Sequence, residues 1–325
     1  MPFALNLVSK KSYLLRLLIA YILRNSLPFQ IAMNFSAILN SNKNTRLELN
    51  VNTVLMADIK GSRKMDDLKR GRIQQQLYHS VNYLNKLFSG SLVADVVFSA
   101  GDEIQGMFSS VASAFLYYRA LSHLLGSTTL HAGIGTGDWE TRIPNGPSTV
   151  QDGTCYHKAR AAINQAKKSR CYQLVIEDKD SFTQTVAAAY STALSASRTK
   201  RQVDFARSVD LVFPLILEMP SISRRELDSS YYELYDCLQK LLEKEGCKYL
   251  PLAERAPDPV ILEGAISYKE LESRMRGVTY QMESFGVGRR QSLDRLMAES
   301  AILVERNAAA FFVFGEIRGG EWGWR

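Results

Sequence analysis

The apolar residues between positions 50 and 185 change their period in a fixed order, and that order limits the fold more than any single motif does. Residues 53–59 are an apolar run of strand length. Over 63–88, Leu68, Ile73, Leu77, Val81, Leu84 and Phe88 recur at helical spacing, which predicts one long amphipathic helix. "SLVADVVFSA" (91–100) and "IQGMFSS" (104–110) are β-rich and flank "GDE", a hairpin signature in which Gly101 supplies a positive φ. A second helix is expected over 111–125. "TTLHAGIGTG" (128–137) alternates as a strand, "YHKARAAINQAKK" (156–168) places Tyr156, Ala159, Ile163 and Ala166 on one helical face, and "CYQLVI" (171–176) is a further strand. The order β-α-β-β-α-β, with more α and β after it, predicts an α+β, ferredoxin-like layout: an antiparallel sheet with helices packed on one face.

The first strand carries a charge at an unexpected place. In "VLMADIKGSR" (54–63) a carboxylate, Asp58, comes at the end of what reads as a buried strand, and the chain then turns basic. In a ferredoxin-like sheet the first strand and the hairpin lie side by side, so Asp58 can face Asp102 at the hairpin turn. Two like charges held together need a neutralising cation, and oxygen ligands suit Mg²⁺ or Mn²⁺. The main-chain carbonyl of Ile59 is a further candidate ligand. Beyond it Gly61 permits a tight turn, Ser62 is a candidate helix cap, and free N–H groups would attract phosphate, with Lys60, Arg63 and Lys64 adding charge. The combination reads as a metal site that takes a nucleoside triphosphate. A simpler reading stands beside it: an Asp before Gly-Ser is a turn or a cap, and "GIGTG" (133–137) marks strand backbone packed closely on a helix. His131 and His157 are isolated from any Cys or second His, so zinc is not expected, and no Ser-His-Asp or Cys-His arrangement stands out.

Four blocks, "ADIKGSR", "SAGDEIQGMF", "GIGTG" and "DGTCYHKARAAINQA", in this order and spacing over residues 51–177, resemble the SatD family of bacterial proteins. More distantly they resemble the palm-type catalytic domain of class III nucleotide cyclases, GGDEF enzymes and CRISPR-associated cyclic-oligonucleotide polymerases. In those relatives the first aspartate and the hairpin acidic residue bind two metals that align a triphosphate and activate a ribose hydroxyl. The resemblance thus implies a palm domain in which Asp58 and Asp102 are metal ligands and Glu103 is an alternate. It gives Arg160 the role of stabilising charge on the transferred phosphoryl group. Departures are visible: one glycine precedes the acidic pair where GGDEF enzymes have two, and Tyr156 stands where cyclases carry an Asn. Such sites commonly form between two palm domains, so a homodimer is expected.

The net charge of +7 narrows the partners once it is divided along the chain. Residues 1–50 hold six Lys or Arg against one Glu, residues 51–185 hold 15 against 12, and the remainder 19 against 20. Most of the excess is therefore in a leader, and bulk charge argues weakly for nucleic acid. Residues 1–48 read as a basic leader or a disordered extension. "YLLRLLIAYIL" is short of the roughly 20 apolar residues of a spanning helix. It is read first as an upstream start-codon extension with Met33 near the true start, and second as a basic amphipathic helix on a membrane surface. The four cysteines, Cys155, Cys171, Cys237 and Cys247, are too far apart for a metal knuckle and fit a reducing cytoplasm.

Residues 49–185 are then the palm domain and 186–325 a mainly helical C-terminal domain. "TQTVAAAYSTALSAS" and "RQVDFARSVDLVFPLIL" suggest two helices, the second ending near Pro214. Further on, "RQSLDRLMAESAILVERN" followed by a strand-like "AAAFFVFGE" (308–316) reads as a winged helix, with Arg289, Arg290 and Arg295 near the recognition helix. The alternative is a helical packing or dimerisation domain with solvated arginines. Two functions follow: a metal-dependent nucleotidyl transferase or cyclase, or a non-catalytic nucleotide-sensing regulator that binds DNA through its C-terminal domain.

Overall fold

A computed structural model of the chain describes residues 52–178, 181–244, 250, 255–262 and 277–317. The leader, expected over residues 1–48, lies outside the described residues. The chain divides into two compact units, residues 1–47 and 48–325, and every described residue belongs to the second.

The elements run β1 (Asn52–Ile59), α1 (Asp67–Leu87), β2 (Leu92–Ala100), β3 (Glu103–Phe108), α2 (Val111–Leu124), β4 (Leu130–Gly137), α3 (Thr154–Lys168) and β5 (Leu174–Glu177). They form one five-stranded sheet in the order β2-β3-β1-β4-β5. Its first four strands are antiparallel neighbours in the ferredoxin-like order, with β1 paired to β3 and to β4. The fifth strand departs from the expected antiparallel pattern. It pairs parallel to β4, and α3 is the crossover between them. Gly101 takes φ +62° in the β2–β3 turn, as the hairpin signature requires.

Strand β1 is covered on both faces, which is why its apolar run is continuous. Leu55, Ala57 and Ile59 enter the main core with Leu77, Val81 and Leu84 of α1 and Phe115 and Leu121 of α2. The alternate residues Val54 and Met56 pack instead with Cys155, Ala159 and Ile163 of α3. Helices therefore cover both faces of the sheet, not one. The cause is at Gly133 and Gly135 of β4. A Cβ at Gly133 would meet the main-chain N of Ile163 at 2.2 Å and O of Ala159 at 2.4 Å, and one at Gly135 would meet the N of Ala159 at 2.2 Å. Backbone touches backbone there, so the "GIGTG" glycines mark close packing of a helix.

Helix α1 begins later than its periodicity suggests. Asp66 caps it by accepting from the Lys69 N–H at 2.8 Å, and a short 3-10 turn, Ser62–Lys64, precedes it. Leu68, on the exposed first turn, is 81% exposed and is no part of the core.

The remaining elements are α4 (Ser181–Ala196), α5 (Lys200–Val212), β6 (Leu215–Ile216), α6 (Arg224–Lys244), β7 (Val260–Ile261), α7 (Val278–Ser284), α8 (Arg290–Glu299) and α9 (Ile302–Ile317). Helix α5 ends two residues before Pro214, as expected. The "AAAFFVFGE" run is not a strand: it is part of α9, where an alanine-rich stretch favours helix and Ala309, Phe312 and Val313 are buried in the main core. Phe312 packs on Phe115 of α2 with ring centroids 4.4 Å apart.

A buried charge network ties these helices to α2. Arg119 donates to both Glu305 oxygens at 2.7 and 2.6 Å and to Asp210 at 3.0 Å. Arg306 donates to Asp210 at 2.6 Å and to the carbonyl of Phe213 at 2.6 Å. His123 shares a short hydrogen bond with Asp210, and Ser191 donates to Glu305 at 2.6 Å. Burial pushes the Glu305 and Asp210 carboxyls up, but Arg119 and the neighbouring cations outweigh it and hold both below the usual carboxylate range. Two guanidinium groups and two carboxylates thus compensate one another inside the core, and removal of one leaves its partner costly.

Two outcomes are expected. Gly135→Ala should lower the unfolding free energy by about 1–3 kcal/mol, read as a lower urea midpoint with an unchanged slope. Glu305→Ala should cost about 3–5 kcal/mol in the same assay, whereas Lys240→Ala, which breaks an exposed pair with Asp236, should leave the midpoint unchanged.

Candidate functional site

Asp58 is the penultimate residue of β1, on the face covered by α3. Its register partners are Glu103 on β3 and His131 on β4. The carboxylate opposite Asp58 is thus Glu103, not Asp102. Asp102 sits in the hairpin turn one residue earlier, and its Oδ2 is buried with no hydrogen-bond partner among the described residues.

Two cations on α3 cover this pair. Lys167 Nζ lies 2.5 Å from Asp58 Oδ2 and 4.0 Å from Glu103 Oε2, while Arg160 Nη1 donates to Glu103 Oε2 at 2.7 Å. Arg160 and Lys167 are seven residues apart, two helical turns, and so share one face of α3. Ser99 donates to the other Glu103 oxygen at 2.9 Å. Partial burial pushes the Glu103 carboxyl up, but the hydrogen bonds from Arg160 and Ser99, with the charges of Arg160 and Lys167, hold it below the usual range. The same pairing raises Arg160. His131 is pushed down by partial burial and by Lys60, with Lys167 adding to this and Asp58 opposing it, which favours a neutral imidazole.

The turn after β1 is built differently from the expectation. Lys60 N–H donates to the carbonyl of Thr129, which fixes the strand end, and Gly61 takes φ +72° with open space around its Cα. That conformation, rather than crowding, calls for glycine there. Ser62 is buried and is the first residue of the 3-10 turn, whose cap position is held by Gly61, and Asp66 caps α1, so Ser62 is not the helix cap. Lys60, Arg63 and Lys64 are exposed beside the site. Ile59 is buried, its side chain in the main core and its register partner Leu130. Tyr156, at the position where cyclases carry Asn, is buried with its hydroxyl 3.0 Å from Ser148 Oγ; burial pushes the phenol up to about 12.

The donor set suits a hard divalent cation. Mg²⁺ is commonly held by one or two carboxylates plus substrate phosphates rather than by an all-protein cage. Asp58 and Glu103 are the two carboxylates that would hold such an ion, and the ammonium of Lys167 lies near both. Among the described residues no group of three His, Cys, Asp or Glu is gathered closely enough to hold a metal unaided.

The C-terminal arginines are placed otherwise. Arg289 precedes α8, Arg290 lies 3.9 Å from Asp294, and Arg295 donates to Glu299 at 2.7 Å, all on an exposed surface. Sequence reasoning missed Lys167, Ser99 and His131. Lys167 was legible as the residue seven after Arg160, but basic residues in a last helical turn ordinarily read as solvated groups that suit the helix dipole.

The SatD family profile matches residues 53–217, just over half of the chain. The chain belongs to the SatD family. The matched segment runs from β1 through the sheet, α4 and α5 to Leu217, forty residues beyond the 51–177 span of the resemblance. No curated protein matches the chain. Among solved structures, a bacterial light-regulated adenylyl cyclase is similar at 12% identity and a TM-score of 0.27, over 54% of this chain and 57% of that one. This chain therefore spans little more than half of that cyclase's length. Among the described residues of this SatD protein no helix is long and apolar enough to cross a membrane.

The pairing at Glu103 can be read directly. Because its folded carboxyl is held below the ordinary value, the stability it contributes is present above the ordinary Glu range and is lost as pH falls through the depressed value. A carbon-13 NMR titration should show the Glu103 carboxyl ionising below the usual range in the wild type and moving up towards it in Arg160→Gln.

Proposed function

We propose that this SatD protein binds a nucleoside triphosphate with Mg²⁺ or Mn²⁺ on the α3 face of the sheet and catalyses nucleotidyl transfer or cyclisation there. The observation that supports this reading is the in-register pair Asp58–Glu103 on adjacent central strands, covered by two cations from a single helix face. Asp58 and Glu103 would hold the cation, with Asp102 as a further oxygen donor. When bound, the cation supplies charge neutralisation for the phosphates and favours attack by a hydroxyl.

The chain's own residues have separate tasks. Arg160 offers a planar fork of donors that suits phosphate oxygens, and Lys167 offers a compact point charge. Both are engaged by the carboxylates in the structure. A triphosphate competes for these cations, which would transfer from Asp58 and Glu103 to phosphate and leave the carboxylates to the divalent ion. Lys60, Gly61, Ser62 and Arg63 form the turn at the same strand end, where the exposed side chains of Lys60 and Arg63 raise the local concentration of polyanions while Ser62 is buried. Tyr156 is committed to Ser148 and is a structural residue of α3. The DNA-binding reading is not advanced, because Arg290 and Arg295 are each paired along α8 and the run expected to be a wing is helical.

Pyrophosphate release from the four nucleoside triphosphates with Mg²⁺ or Mn²⁺ tests the proposal. Turnover is expected with at least one nucleotide, and Asp58→Ala and Glu103→Ala should each lower it about 100-fold or more while circular dichroism stays unchanged. Turnover that persists in both variants, or no turnover with any of the four, would overturn the catalytic reading.

A further inference from the structure

On the α2 side of the sheet, away from Asp58 and Glu103, lies a cavity of about 330 Å³. It is bounded by α2, the 126–129 turn, the start of β4, α4, Arg198 and the first turns of α5. Its size falls at the lower end of small-molecule pockets, about 300–1,000 Å³. The residues lining it are unusual in their charge. Arg119, His123 and Arg198 reach its wall and, among the described residues, no carboxylate does, while Ser122, Thr128, Ser191 and Thr192 line it with hydroxyl-bearing side chains.

The cations are not equally committed. Arg119 spends its donors on Glu305 and Asp210. His123 is held between Asp210 and Ser195. Arg198 donates through Nε to the carbonyl of Ser300 at 2.9 Å and through Nη1 to Ser195 at 3.3 Å, but its Nη2 is buried with no partner among the described residues. Burial pushes this guanidinium down and Arg119 adds to the effect, only partly offset by Glu305 and Asp210. A largely buried guanidinium whose donors are not all paired carries poorly compensated positive charge, which an anion in the adjoining cavity would offset.

We propose that this cavity binds a small molecule bearing an oxyanion, a phosphate ester or carboxylate on a short hydroxylated frame, whose anionic group lies against the guanidinium of Arg198. Ser122, Ser191 and Thr192 already donate their hydroxyl protons to the Tyr118 carbonyl, Glu305 and the Ala189 carbonyl, so the wall offers their lone pairs as acceptors for hydroxyl groups on such a ligand. The site is independent of the nucleotide reading, since it uses other residues on the opposite face of the sheet.

Calorimetric titration of the full chain with inorganic phosphate, at ionic strength fixed with chloride, provides the test. Saturable binding is expected. Arg198→Gln should weaken it about tenfold or more, and Arg160→Gln, at the Asp58–Glu103 site, should leave it unchanged. Ser122→Leu, which fills the cavity from α2 and keeps Arg198, should also weaken binding and serves as the second reading if Arg198→Gln loses its cooperative melt. Absence of saturable binding to the folded wild type, equal affinity in the folded cavity variants, or loss on Arg160→Gln alone would each overturn the proposal.

Discussion

The distance between α3 and β4, set by Gly133 and Gly135, is the constraint on which the candidate site depends. With no side chain at either position the helix lies with its backbone on the strand. Arg160 and Lys167 then reach across β4 to carboxylates on β1 and β3. A side chain on β4 would lift the helix, and the two cations would no longer share the carboxylates of Asp58 and Glu103. The glycines contribute no chemistry, yet they decide whether charges from α3, β1 and β3 meet.

A second constraint holds the helical part to the sheet. Arg119, His123 and Asp210 lie within the family-matched segment, whereas Glu305 and Arg306 come from α9, beyond it. Arg119 needs both acidic partners to engage all three of its guanidinium nitrogens, and Asp210 is shared between Arg119 and Arg306. The charges of the matched segment are therefore completed by residues more than eighty positions further along the chain. Burial of such a network stabilises little by itself, but any member left alone is strongly unfavourable. The main apolar core is likewise continuous, running from β1 to Phe312 and Val313.

Much of this was legible in the sequence because period and turn chemistry are local. The order of strands and helices, the glycine of the hairpin, the end of α5 before Pro214 and the meaning of "GIGTG" follow from residues close in the chain. What was missed depends on residues distant in sequence. The face taken by α3 is set by a contact between β4 and a helix some twenty residues later. The run 308–316 has strand-like phenylalanines, but its alanines and its packing on α2 and α4 make it helical. At the site, alternation along β3 decides between Asp102 and Glu103, and a shift of one residue exchanges them. The sequence pointed to the acidic pair; only the register with Asp58 shows which member faces it.

The central claim is that Asp58 and Glu103 exchange Lys167 and Arg160 for a divalent ion when a triphosphate binds and takes those two cations. Crystals grown with Mn²⁺ and a non-hydrolysable nucleoside triphosphate, with the manganese located by anomalous scattering, test it most directly. The account predicts manganese bound by Asp58 and Glu103, with Arg160 and Lys167 on phosphate oxygens. Manganese and nucleotide found elsewhere, with Lys167 still on Asp58 and Arg160 still on Glu103, would contradict it.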